Sequence, residues 1–288
     1  MSKVARSTVV RNGRWRRSMV MLGLMAGLAS AYAGCGGGGG KPRPSWFDPD
    51  VSSTWHVQLQ GDVSVEHDVL IYDLDLFDTP ESVFTALRAA DRKIICYFSA
   101  GTFEDWREDA AQFDLADLGE PLEDFPNERW LDIRSSKLIP IMRARLDLAK
   151  QRGCDGVDPD NVDGYANNSG FPLKASDQLK YNRMIAREAH KRKLAVGLKN
   201  DLDQVADLAR SFDFAVNEQC HEYEECDLLL PFIKLGKPVV NIEYADTFRD
   251  AQGFAALCRD AELKQFRTMV LPLDLDDSSR MVCGETAP

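Results

Sequence analysis

The chain has 288 residues, 44% of them apolar, and a formal charge of −11 from 35 basic and 46 acidic side chains. That length buries a full core within one domain, and the excess of acid disfavours nucleic acid and anionic surfaces as partners while favouring cationic ones. Four scattered histidines and the lack of a zinc-type cysteine spacing argue against metal chemistry, and no cofactor is expected.

Residues 1–34 read as an export signal. Arg11, Arg14, Arg16 and Arg17 precede an apolar run, Met19 to Ala33, that is short for a membrane span, and the run ends at Tyr32-Ala33-Gly34-Cys35. Small residues directly before a cysteine resemble a lipoprotein signal, in which Cys35 is acylated. Residues 35–50, with Gly36 to Gly40 and Lys41-Pro-Arg-Pro, then form a flexible tether, and 51–288 form the folded domain. Without the six basic side chains ahead of Cys35, 29 Lys and Arg stand against 46 Asp and Glu, a formal charge of −17. The expected product is an exported monomer, secreted or held at the cell envelope, that meets a membrane only through its N-terminal lipid.

Strand-like runs then alternate with helical ones. The strands are expected at 54–59, 69–74, 93–98, 156–160, 195–199, 214–218, 239–244 and 268–273. Helical spacing is clearest at 81–90, 137–152, 176–192, 201–210, 228–235 and 251–263. Eight such alternations predict an α/β fold, a (β/α)8 TIM barrel, as a single catalytic domain. Of the six cysteines after Cys35, Cys96 and Cys154 sit in apolar runs and read as buried thiols. Cys220 with Cys226, and Cys258 with Cys283, are the disulfide candidates, although six thiols allow fifteen pairings.

Barrel chemistry happens at the C-terminal ends of the strands, and these ends are acidic and polar. Asp73 and Asp75 close the second strand, Tyr97 and Ser99 the third, Asp158 and Asp160 the fourth, Lys199 and Asn200 the fifth, Glu218 the sixth, Glu243 and Tyr244 the seventh, and Asp274 the eighth. Two carboxylates at two strand ends, Asp160 and Glu218, are what hydrolysis of a glycosidic bond requires. One donates a proton to the leaving oxygen, and the other attacks the anomeric carbon or activates water. Asp75 and Asp158 also fit helix capping or ion pairing, and Lys199 fits a partner to a barrel carboxylate.

Several blocks carry a resemblance. Tyr72-Asp-Leu-Asp-Leu-Phe-Asp78, Cys96-Tyr-Phe-Ser-Ala-Gly101, Glu104-Asp-Trp-Arg107, Trp130-Leu-Asp-Ile-Arg134, Gly156-Val-Asp-Pro-Asp-Asn-Val-Asp-Gly-Tyr165, Gly197-Leu-Lys-Asn-Asp201 and Asn217-Glu-Gln-Cys220 resemble glycoside hydrolase family 114, the endo-α-1,4-polygalactosaminidases. The resemblance runs from about Trp55 to Asp274. It implies a barrel that cuts within α-1,4-linked galactosamine polymers, with the two catalytic acids on Asp160 and Glu218. Asp158 stands where the family more often has Glu, and Cys154 where it has an aromatic residue.

Deacetylated galactosamine is an ammonium at neutral pH, so an acidic barrel mouth suits it as substrate. Asp73 and Glu243 are expected to hold amines, Lys199 and Asn200 to bind hydroxyls, and Asp158 and Asp163 to tune the first acid. Tyr97, Tyr165, Tyr244 and Trp55 offer rings to sugar faces. Asp160 is expected to be the nucleophile and Glu218 the general acid/base of a retaining reaction. The other readings are a surface lipoprotein that binds polysaccharide without cutting it, and a hydrolase for an acetylated amino-sugar polymer.

Overall fold

A computed structural model describes residues 44–123 and 125–285; the export signal and Cys35 lie outside the described residues. Eight parallel strands follow one another around a barrel: β1 Trp55–Gln58, β2 Ile71–Asp75, β3 Lys93–Ser99, β4 Gly156–Asp160, β5 Ala195–Lys199, β6 Phe214–Glu218, β7 Val239–Glu243 and β8 Arg267–Val270. Each pairs in parallel with the next in chain order. Six helices, α1 Glu81–Ala89, α2 Leu138–Arg152, α3 Ala175–Lys191, α4 Val205–Leu208, α5 Leu230–Lys234 and α6 Ala251–Lys264, connect them. Two of these are shorter than their periodicity predicts. Ahead of α4, Asn200 and Asp201 both take left-handed backbone, which uses up the expected first turn.

Side chains alternate across every strand, so the barrel has two apolar compartments. Trp55, Val57, Ile71, Ile95, Phe214 and Val216 pack inside. Tyr72, Leu74, Ile94, Val157, Val196 and Leu198 face outward into the layer that the helices cover. Large rings inside need small partners. A Cβ on Gly197 would lie 2.4 Å from the Phe214 ring, so the glycine makes room for the phenylalanine.

The seam between β8 and β1 is filled by the chain's end. Met281–Val282 pairs antiparallel with β8, Arg280 donates to the carbonyl of Trp55, and Leu59 and Gln60 donate to the carbonyl of Leu275. Cys283 is bonded to Cys258 of α6, and Cys220 to Cys226 in the loop after β6. Cys96 and Cys154, expected as two buried thiols, form a third disulfide. Gly153 ends α2 in the left-handed conformation. The turn it makes brings Cys154 beside the outward-facing Cys96, leaving their Cα atoms 6.0 Å apart. Between β3 and α2 the chain also builds a three-stranded antiparallel sheet from Thr102–Glu104, Leu118–Pro121 and Glu128–Leu131, which strand periodicity did not reveal.

Candidate active site

Counting alternate residues along β2, β4, β5 and β6 leads to Asp73, Asp158, Asp160, Lys199 and Glu218, all buried at the top of the barrel interior. Lys199 stands among the acids, with Nζ 3.3 Å from Asp160 Oδ1 and 3.7 Å from Glu218 Oε2. The Nζ also lies 5.6 Å from the centre of the Tyr97 ring. Burial alone would lower the lysine's pKa, but the charges of Asp160, Glu218, Asp158 and Asp73 more than reverse this and hold it charged.

The two outer acids differ in surroundings. Asp160 Oδ1 accepts the Asn161 backbone N–H at 2.7 Å, and Oδ2 accepts the Tyr97 hydroxyl at 2.9 Å. Burial raises its pKa, and Lys199 partly offsets the rise. Glu218 Oε1 accepts the Tyr244 hydroxyl at 2.5 Å, and Oε2 accepts Asn200 Nδ2 at 3.3 Å. Deeper in the barrel, burial raises Asp73 well above the usual carboxylate range and Asp158 to about 7. Neither oxygen of Asp73 has a hydrogen-bond partner among the described residues.

Backbone strain gathers at the same end. Asn161, Asn200, Asp201 and Gln219, each within two residues of a strand end, have φ between 46° and 65°. Gly101 is forced by the first of these turns, since a Cβ there would lie 1.6 Å from the Asn161 carbonyl oxygen. Asn200 is held from two sides, its Oδ1 accepting the Glu218 N–H at 2.9 Å and Asn217 Nδ2 at 3.2 Å. Asn217 in turn accepts from Asn241 at 3.2 Å, and Asn241 from the Thr268 hydroxyl at 3.1 Å. This amide ladder crosses four strands and ends on Glu218.

Asp163, Tyr165 and Asn200 line one cleft together with Glu218, and Asp203, Tyr223 and Glu225 are among its other lining residues. Glu243 is a correction. It has the parity of outward-facing Val239 and Asn241, is fully buried, and accepts the His221 N–H at 2.9 Å and Asn241 Nδ2 at 3.0 Å. It therefore anchors the loop after β6 and does not face a substrate amine. Its neighbour Tyr244 has the inward parity and reaches Glu218. Trp55, offered as a sugar platform, is buried against Phe214 in the barrel floor.

Sequence reading missed a buried polar network on the β2–β3 side. Arg107 donates to Glu104 at 2.9 Å and to Asp75 at 2.7 Å, and Arg145 donates to Asp109 at 2.7 Å and to the Ser99 carbonyl at 2.6 Å. Glu128 accepts the Thr102 hydroxyl at 3.1 Å. Burial, followed by the nearby Glu104 and Asp160, pushes Glu128 up to about 9. Asp201 is likewise pushed to about 9 by burial and by Asp163. The signal available in the sequence was the Glu104-Asp-Trp-Arg107 block, whose ends are the two buried charges.

Metal-type donors gather in two places among the described residues. Cys220 and Cys226 flank His221, but their sulfurs are bonded to each other. His56, His67 and Asp277 meet on the outer side of β1, where His67 is already 2.8 Å from Asp277 and stacked on His56.

A parallel eight-stranded barrel with paired carboxylates at its strand ends is an arrangement that glycoside hydrolases use. The chain belongs to glycoside-hydrolase family GH114, whose sequence profile matches residues 40–287. It is similar to Aspergillus fumigatus Ega3, solved in complex with galactosamine, at 40% identity and a TM-score of 0.77, covering 84% of this chain and 99% of that one. The glycoside hydrolase domain of PelA from Pseudomonas aeruginosa shares the fold at 14% identity and a TM-score of 0.61, covering 79% of this chain and 97% of that one. A search of curated proteins found no match.

The buried acids make stability depend on pH in a definite direction. Glu128 keeps its proton up to about pH 9 when folded and loses it near the ordinary value of 4.5 when unfolded. Unfolding between those values releases a proton, so stability falls as pH rises across that window, by up to about 1.4 kcal/mol per pH unit for a fully shifted group. Denaturant melts of the wild type and Glu128→Gln from pH 5 to 9 should show a shallower decline in the variant. Superimposable slopes would mean that Glu128 is ionised in the folded chain.

Proposed function

We propose that the chain is an endo-acting α-1,4-polygalactosaminidase in which Asp160 is the nucleophile and Glu218 the general acid/base. The observation that carries this reading is the single ammonium of Lys199 between the two acids. The oxygens it pairs lie 3.3 and 3.7 Å from it and so no more than 7.0 Å apart. That bound reaches from the roughly 5–5.5 Å of a retaining pair only into the lower end of the roughly 6.5–9.5 Å of an inverting one, and the retaining route is the one proposed. Lys199 stands nearer Asp160 than Glu218, at 3.3 against 3.7 Å, which suits Asp160 as the ionised nucleophile. Glu218 lines a narrow cleft of about 40 Å³ on the mouth side of the barrel, the side from which the leaving sugar oxygen would be protonated.

In the first step an Asp160 oxygen bonds to the anomeric carbon while protonated Glu218 gives its proton to the departing glycosidic oxygen. In the second, Glu218, now a carboxylate, takes a proton from water as the water oxygen displaces Asp160 from the same carbon. Lys199 stabilises anionic Asp160 before attack and the Glu218 carboxylate after its proton has left. Substrate choice draws support from the 40% identical Aspergillus protein, solved with galactosamine, and from the acidic mouth of this barrel.

Asp160→Asn and Glu218→Gln should each lower kcat by at least about 10²-fold with folding intact. In the wild type, protonating Asp160 removes the nucleophile, so kcat/KM should fall toward acid at a pH above the ordinary aspartate value of 3.8. A reducing-end assay on deacetylated galactosamine polymer measures both. Turnover at the wild-type rate in either variant would overturn the assignment.

Acetylation and salt test the substrate. If ammonium groups are drawn to the mouth, kcat/KM should fall as the polymer is re-acetylated and as salt rises, because exposed charges are screened within about 8 Å at physiological ionic strength. Equal activity on fully acetylated polymer, with no salt effect, would instead support a hydrolase for an acetylated amino-sugar chain. Absence of new reducing ends on every polymer, with binding retained, would support the non-catalytic reading.

Export as a lipoprotein rests on the sequence ahead of residue 44. No described helix is long and apolar enough to cross a membrane; the proposed attachment is through Cys35, which lies outside the described residues. Cys35→Ser should release the protein from the membrane fraction or leave it unprocessed. Wild-type protein free in the medium, with an N-terminus other than position 35, would defeat the anchor.

A further inference from the structure

The two acids do not sit at one end of the surface depression. The cleft beside Glu218 is built from loops that follow β4, β5 and β6. A second cleft opens on the same face of the barrel but on the other side of Asp160, where loops after β1, β2 and β3 meet. Gln60, Asp78, Asp105, Trp106 and Asn127 line it, with Asp75 at its base. Strands β2 and β4 are two positions apart, so Asp75 stands roughly 10 Å from Asp160 along the rim at ordinary strand spacing. That is a short run of sugar units.

Its chemistry is specific. Trp106 is 37% exposed, a large ring left open to solvent. A lone exposed ring is unremarkable on a protein surface, but this one is carried on a turn that is held in place and is flanked by acids. Glu104, two residues before Trp106, and Arg107, next to it, are buried and joined to each other, and Arg107 is further clamped to Asp75 and Asp78 at 2.7 and 3.0 Å. The turn bearing the ring is therefore held from beneath, and the Arg107 guanidinium lies 5.9 Å from the ring centre. Asp105 and Asp78 both reach the surface beside it. A pyranose face stacks on an indole, and an ammonium on that sugar has carboxylates within the same cleft.

We propose that this cleft is a distal subsite for a cationic amino-sugar unit of the polymer, with Trp106 as its platform and Asp105 and Asp78 as its charge partners. The proposal rests on the reading of the chain as a galactosamine-polymer hydrolase and adds where the polymer is gripped away from the cut. Together with the Glu218 cleft, it makes a track that crosses the mouth, with the catalytic pair between its two halves. An enzyme that cuts inside a chain needs such a hold on both sides of the bond. The specificity it adds is for length, since only a polymer long enough to reach Trp106 gains from it.

The test is calorimetric binding of deacetylated galactosamine oligomers of increasing length to the full chain carrying Glu218→Gln, so that ligand is not consumed. Trp106→Ala in that background should reduce the gain in affinity from short to long oligomers by about tenfold. Trp106→Phe should restore most of it, and Asp105→Asn should weaken it in a salt-dependent way. Leu115→Ala, exposed and outside both clefts, should leave the length dependence unchanged. A length dependence untouched by Trp106→Ala would overturn the subsite while leaving the hydrolase reading in place. A wild type that cuts no polymer, yet binds long oligomers through Trp106, would overturn the hydrolase reading and keep the subsite. Absence of binding at any length would sink both.

Discussion

The charged end of this barrel depends on one ammonium. Lys199 is buried among Asp73, Asp158, Asp160 and Glu218, and like charges so close cannot all remain ionised without a counter-charge. Burying ions is costly unless they are paired and hydrogen-bonded, and removing one partner leaves the others uncompensated. Lys199 thus does two things at once. It lets Asp160 stay anionic beside Glu218, and it ties β4, β5 and β6 together at the top of the barrel. The deepest acids receive less of its charge. Burial drives Asp73 and Asp158 toward the neutral form, which lightens the load on the single cation.

Packing below this layer fixes where the charges sit. Trp55 and Phe214 fill the barrel floor, made possible by Gly197, and the polar layer rests on them. Above, the chain leaves β4, β5 and β6 through left-handed residues that aim backbone and side-chain donors at the acids, as with the Asn161 N–H on Asp160. On the outer side of the sheet, the ladder from Thr268 through Asn241 and Asn217 to Asn200 fixes Glu218 by a second route. Glu218 is thus positioned from inside by Lys199 and from outside by Asn200, which leaves its carboxyl little freedom to rotate.

Much of this was legible in the sequence. Alternating strand and helix periods located all eight strands, and the acidic strand ends pointed to Asp160, Glu218 and Lys199. Parity was the rule applied too loosely. Glu243 and Tyr244 adjoin at one strand end, yet they must face opposite sides, and the apolar partners Val240 and Ile242 show that Tyr244 is the inward one. What could not be read were contacts made at long range. The pairing of Cys96 with Cys154 depends on how α2 returns to the sheet, and the embrace of Asp75 by Arg107 depends on an excursion whose short strands carry no clear period. Glu128 looks like any surface acid in the sequence until that excursion folds over it.

The asymmetry between the two acids follows from the same architecture. Asp160 sits where a strand end, a tyrosine and a backbone amide converge, and it is the acid nearer Lys199, at 3.3 against 3.7 Å. Such a carboxylate is oriented but loses little nucleophilicity if the bonds loosen as its charge moves to carbon. Glu218 sits one strand beyond Lys199, at the edge of the narrow cleft and hydrogen-bonded to Tyr244. A proton can be passed from there to a leaving oxygen and recovered from water. A barrel supplies two such environments because adjacent strands share one interior while their following loops differ. In the proposed assignment, the division of labour between these carboxyl groups is set by the loops, and the attraction for a cationic polymer by the acids that surround them.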